Sequence, residues 1–348
     1  MFNLLKSDCY RLVYGKMLWV VLAIFLAMTA FTAAIVNFAA NHVPATAQVV
    51  VEGSAGGASS SSLPDESDLT DEELAAANDA AAATLSAVDE DDVEMGAELA
   101  ADTSETFTDV NLGKRQITSL TTLYGQSFAG GGELTMMVAL LVALFFAADF
   151  DTHFVRNLVM DAAGRRRYYG EKLLLAALLS AAFLLVGMVA TPLCFAVAGF
   201  TFTFSESTGA VALYALLTWL TLTMYAWMTA VVVWATHSKA AGIVMALVVA
   251  IGAAGGALFT AASVFGWKWP WLGELVHWVP YSNLTLLGNG VGWFDLPYGA
   301  GLAANGTMSV PEGAIGGLTG VVHGFIVAAL WLAACAALTF AVLRKKDV

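Results

Sequence analysis

Six stretches of this chain run for about 20 residues almost without a charge, which is the length an α-helix needs to cross a bilayer. They cover 17–40, 129–148, 173–200, 210–236, 240–265 and 321–343. The first alone, at about 1.5 Å per residue, is roughly 36 Å long, enough to span a hydrocarbon core with some tilt. The second is the shortest, because only Leu134–Ala148 is cleanly apolar, and it needs Phe128–Glu133 to reach spanning length. Runs of this kind exclude a soluble enzyme. They also exclude a transmembrane β-barrel, whose strands alternate over about 10 residues. The composition agrees: 59% hydrophobic and 12% charged residues, against about 25% charged in ordinary soluble domains. The fold class is an all-α polytopic membrane protein with six transmembrane helices.

Lys and Arg set the orientation of such a protein. Twelve of the fifteen fall in the N-terminus, the loop after the second run, the loop after the fourth, and the C-terminus. Lys114, Arg115 and Lys268 are the other three. Six spans put both termini and both basic loops in the cytoplasm, and five or seven would scramble the pattern. Segment 41–133 holds 18 Asp and Glu and two basic residues, so the acidity of the whole chain belongs to one external insert. Ala45-Thr46-Ala47 has the small-residue spacing of a signal-peptidase site. The preceding apolar run is far longer than the usual 7–15 residues, however, so a signal-anchor is the better reading.

Within the insert, 41–128, Gly53–Ser62 reads as flexible linker. Thr70 and Glu73 fit a capping box that opens an Ala-rich stretch to about Val88. The insert is either a mobile acidic spacer or a collecting surface for cationic ligands. A second external loop, 266–320, carries Trp267, Trp269, Trp271, Trp278, Tyr281 and Trp293, residue types that settle at membrane interfaces. It is too apolar for a solvated loop and too broken by Pro280 and Gly for another span. Re-entrant or interfacial helices fit it best, since irregular backbone at depth must be covered by protein.

Several chemistries have no residues to carry them. No G-x-x-x-x-G-K-[ST] occurs, so the chain has no recognisable phosphate-binding loop, and Gly288-Asn-Gly290-Val-Gly292 lacks the required spacing. The five histidines are scattered; His323, near the outer end of the sixth run, is most simply a hydrogen-bonded interface residue. Cys9, Cys194 and Cys335 have neither metal nor disulfide spacing. Mid-depth ionisable groups, which ion-coupled carriers use, are lacking in the runs. Gly252 and Gly256 stand at GxxxG spacing, which suits helix packing.

The loop at 149–172 is the most specific stretch: an acidic pair, Asp149 and Asp151, then Arg156-Asn157, a short hydrophobic turn to Asp161, the cluster Arg165-Arg166-Arg167, and Tyr168-Tyr169-Gly170-Glu171-Lys172 entering the third run. Arg and Lys beside a span also anchor in headgroups, but this order resembles the first cytoplasmic loop of ABC-2 type transporter permeases. His153-Phe154 stands where that family usually has Gly-Thr. Residues 1–16, with Phe2, Leu5, Cys9 and Leu12 on one face, read as an amphipathic interfacial helix, which also precedes the first span in that family. The likeness covers the chain outside roughly 45–125.

That resemblance implies an ABC-2 type transmembrane domain in a bacterial plasma membrane, with an external acidic insert and a short cytoplasmic tail at 344–348. It implies the permease subunit of an ATP-driven exporter of a hydrophobic or amphipathic substrate, such as an antimicrobial peptide, drug or lipid. The chain would not itself be an enzyme and would carry no cofactor. ATP and Mg would sit on a separate ABC ATPase subunit, and a second permease subunit, identical or merely similar, would complete the assembly. Membrane lipids are expected partners and nucleic acid is not. Arg156, Asp161, Arg165, Arg166 and Arg167 are the implied ATPase-docking residues of a coupling loop. The competing reading is a membrane anchor or sensor without transport activity.

Overall fold

A computed structural model describes residues 2–42, 110–111, 115–151, 162–203, 206–248, 252–265, 268–296, 298, 301–302, 308–309 and 318–345. Five of its helices are long and apolar enough to cross a membrane, or six if one bent pair forms a single span. The chain is a multi-span helical membrane protein. Most of the insert, including the capping box at Thr70 and Glu73, lies outside the described residues, as do Arg156 and Asp161.

The N-terminal helix α1, Phe2–Tyr14, stops at Gly15 and is followed by α2, Lys16–His42. The next apolar run differs from expectation. The long helix α4 occupies Glu133–Asp151, but the chain is already helical from Leu120, through a short α3, Leu120–Tyr124, and a π-helical turn, Gly125–Ala129. Residues assigned to the solvated insert are thus buried structure: Leu123, Tyr124 and Phe128 are all core residues. Gly132, at φ +75°, separates this short piece from α4.

Helix α5, Ala162–Val197, takes in the second half of the loop placed at 149–172. Arg165, Arg166 and Arg167 therefore stand on the first turns of a 36-residue helix and not in a loop. Helix α6, Thr208–Thr236, is the central element and packs against α4, α5 and the final helix. Its buried Thr218, Thr221 and Thr229 each donate to the carbonyl four residues back, which satisfies hydroxyls that would otherwise be costly at depth.

The run at 240–265 is broken. It consists of α7, Lys239–Val248, and α8, Ala253–Phe265, bent by 52°. Gly252 sits at the break at φ +79°, a region that favours glycine. A Cβ on Gly252 or Gly255 would lie 2.8 or 2.2 Å from Tyr281. The pair that matters is thus 252 and 255, and it admits a tyrosine ring, not a neighbouring helix backbone. After it come α9, Pro270–His277, and α10, Tyr281–Gly288, then α11, Gly320–Lys345, which extends into the tail expected at 344–348. Strands β1 (Val110–Asn111), β2 (Gln116–Ile117) and β3 (Thr201–Phe202) form a small sheet in that order. It ties the C-terminal end of the insert to the connection between α5 and α6.

At this end of the bundle the backbone of the π turn meets that of α10. A Cβ on Gly125 would fall 2.3 Å from the Leu287 carbonyl oxygen, and one on Gly130 would fall 2.4 Å from the Gly288 Cα. Gly131, the next residue, faces open space. Gly125→Ala should therefore destabilise the protein by about 1–3 kcal/mol through overpacking, whereas Gly131→Ala should be near neutral. Thermal unfolding in detergent, comparing the two variants, checks this.

Candidate functional site: a buried ionic cluster joining α1, α4 and α5

Three helical side-chain pairs converge at the basic end of the bundle. Helix α1 brings Asp8 and Arg11, three residues apart. Helix α4 brings Phe145 and Asp149, and α5 brings Tyr168 and Lys172, each pair four apart. Residues at these spacings share a helix face, so each helix aims two groups at the same point.

Lys172 lies at the centre, fully buried. Its Nζ is 2.6 Å from Asp149 Oδ2 and 2.8 Å from Asp8 Oδ2. Arg11 Nη1 closes the cluster at 3.0 Å from Asp149 Oδ1 and 3.5 Å from Asp8 Oδ1. Tyr168 donates its hydroxyl to Asp149 Oδ2 at 2.9 Å. Two carboxylates and two cations make the cluster formally neutral. The Lys172 ammonium also lies over the rings of Phe145, Phe146 and Tyr168, at 4.8, 5.5 and 5.3 Å, and Arg11 lies over Phe145 at 5.5 Å. Cation–π contacts of this kind gain strength where water is excluded.

Such a cluster contributes little net stability over an apolar replacement, but removing one partner leaves a buried charge uncompensated, at a cost of about 3–5 kcal/mol. Its consequence is geometric. Helix α1 is fixed to both α4 and α5. Behind the cluster, Trp234 of α6 stacks on Phe146 at 5.4 Å and meets Tyr169 edge-on at 4.8 Å, so the central helix backs the same point.

Of the implied docking residues, the two whose side chains are described stand outside this cluster. Arg166 and Arg167 are exposed on the first turns of α5. Arg165 is placed only as part of that helix, and Arg156 and Asp161 lie outside the described residues. Asp149 and Lys172 belonged to the quoted loop pattern, while Asp8 was missed as a partner. Its position was legible, since it falls between Leu5 and Leu12 on the bundle-facing stripe, where an unpaired carboxylate could not remain.

The opposite end carries a second polar knot. The Glu206 carboxylate accepts from Ser119 Oγ at 2.7 Å, from the Leu120 and Thr121 backbone N–H groups at 3.0 Å each, and from the Thr121 hydroxyl. Burial and Glu206 together push Tyr124 up to about 12, so it remains the protonated donor to the Met188 carbonyl. His323 is buried, stacked on Tyr298 at 3.6 Å with Trp278 at 5.2 Å. No group of three or more His, Cys, Asp or Glu able to hold a metal occurs among the described residues. Comparison with protein-family models, curated proteins and solved structures gives no match.

Cys9 reports on the ionic cluster. Burial, then the charges of Asp8 and Glu171, push its thiol up. Only the thiolate reacts with maleimides, so alkylation of Cys9 in intact membranes should reach half its maximal rate at a pH above the ordinary thiol value of about 8.5. A midpoint at or below that value would place Cys9 outside the field of the two carboxylates.

Proposed function

We propose that this chain is the permease subunit of an ATP-driven ABC transporter, exporting a hydrophobic or amphipathic substrate such as an antimicrobial peptide, a drug or a lipid. The observation that carries the reading is the attachment of the basic segment 149–172 to the interfacial helix through Asp149, Lys172 and Asp8. A permease driven by a separate ATPase needs a cytoplasmic element that receives movement and a rigid path from it into the spans. Here both ends of the basic segment are fixed to α1, and α5 runs without interruption from the arginine cluster into the bilayer. A push on the start of α5 would displace α1, α4 and α5 together, as a rigid-body shift of packed helices.

Arg166 and Arg167, both exposed, are offered to the ATPase, and Arg165, Arg156 and Asp161 are the further docking residues that the resemblance implies. A second permease subunit would complete the translocation path, and ATP with Mg would act on the ATPase. The same ionic cluster could brace a membrane anchor or sensor, which is the competing reading.

The chain, tagged in its own host and extracted in mild detergent, should bring down a stoichiometric ATPase subunit with vanadate-sensitive hydrolysis. Reversing the charge of Arg165, Arg166 and Arg167 together should abolish that association at unchanged expression. A chain that purifies alone, or with kinases only, contradicts the permease reading. Retention of the ATPase by the triple variant contradicts the docking assignment.

A further inference from the structure

The ionic cluster has a consequence for the other side of α1. Helical spacing puts Lys6, Tyr10 and Tyr14 on one stripe, and all three are exposed, as are Val13 beside them and Lys16 at the start of α2. The two tyrosine rings lie with centroids 4.1 Å apart. Trp19, also exposed, donates its indole N–H to the Val13 carbonyl at 2.8 Å and so covers the corner between α1 and α2.

The charge on this face is one-sided. Asp8, the one carboxylate among residues 1–17, is turned inward and held by Lys172. Arg11 is neutralised by Asp8 and Asp149. Among the described side chains of residues 5–16, the exposed lysines are Lys6 and Lys16, which flank the tyrosine pair in sequence. Helix α2, which begins at Lys16, exposes an apolar side at Val20, Ile24 and Phe31, which in a spanning helix faces acyl chains. The stripe therefore sits at headgroup depth, where Tyr and Trp settle with the ring buried and the polar tip wet. Lysines reach phosphates from there on their long stems.

We propose that the outward face of α1 is a binding site for an anionic lipid headgroup, with Lys6 and Lys16 as its cations and Tyr10 and Tyr14 as its apolar floor. The chemistry selects a phosphate diester bearing net negative charge, as in phosphatidylglycerol, over a zwitterionic headgroup. An acidic protein is disfavoured as the occupant because α2, which starts at Lys16 itself, exposes apolar side chains suited to acyl chains. The proposal uses the membrane orientation of the chain and is independent of any ATPase partner.

The test is lipid retention by the full-length protein in nanodiscs of mixed phosphatidylglycerol and phosphatidylcholine, read by native mass spectrometry. The wild type should retain phosphatidylglycerol preferentially. A lysine near an anionic surface contributes about fivefold in binding, so K6Q should lower retention by about that factor. The double change K6Q/K16Q should bring phosphatidylglycerol to the level of phosphatidylcholine. Both lysines are exposed and outside the ionic cluster, so the variants should fold, and an unchanged thermal midpoint verifies that. K268Q, at the opposite end of the bundle, should leave retention unchanged. Equal retention of the two lipids by the wild type, unchanged retention in K6Q/K16Q, or an equal loss in K268Q overturns the proposal.

Discussion

A lysine with no exposed surface, lying between two carboxylates, constrains the basic end of this protein more than any apolar contact does. Buried in the bundle, the Lys172 ammonium has Asp8 and Asp149 as its counter-charges, and each carboxylate in turn needs the cations. The condition fixes three helices at once: α1 must lie with Asp8 inward, α4 must end with Asp149 on the inner face, and α5 must begin several turns before Lys172. Dispersion between leucines would tolerate a slide or a rotation of one helix. A buried charge would not, because even a small displacement leaves it uncompensated. The cluster thereby makes the N-terminal helix part of the bundle and decides which of its faces is turned outward.

The opposite end is held by a different means. There the chain packs backbone against backbone, at Gly125 and Gly130 against α10, and Glu206 caps the start of α3. Small residues let main chains approach closely, which suits a setting where burial of apolar surface does not drive helix association. The bend between α7 and α8 belongs to the same region, since Tyr281 at the head of α10 fills the space that Gly252 and Gly255 leave. Helix α6 crosses between the two ends and touches both, through Trp234 at one and Tyr214 at the other, where the tyrosine donates to the Leu287 carbonyl.

The spans were legible in the sequence because length and lack of charge are local properties. So was the amphipathic N-terminal helix, from its period of 3.6. The pieces of the ionic cluster were also visible, as Asp149 in an acidic pair, Tyr168 and Lys172 at helical spacing, and Asp8 on an apolar stripe. Their convergence was not, because it depends on which helices lie side by side. The buried helix at 120–129 escaped for another reason: Gln126, Ser127 and several glycines resemble the polar insert that precedes them, and only contact with α2, α4 and α10 makes them interior. The bend at Gly252 was hidden likewise, since Gly252 and Gly256 match a helix-packing motif and nothing nearby in the sequence points to Tyr281.

The central claim is that Asp8 and Lys172 hold α1 to the bundle as interacting charges, and a double-mutant cycle tests it most directly. Asp8→Asn, Lys172→Met and the double variant would be compared by thermal and denaturant unfolding in the same detergent. Each single change should destabilise strongly, and the double change should cost much less than their sum, with an interaction energy of about 2–3 kcal/mol. Costs that add to within about 0.5 kcal/mol would show that the two residues act independently, and the account of a charge-locked interfacial helix would be wrong.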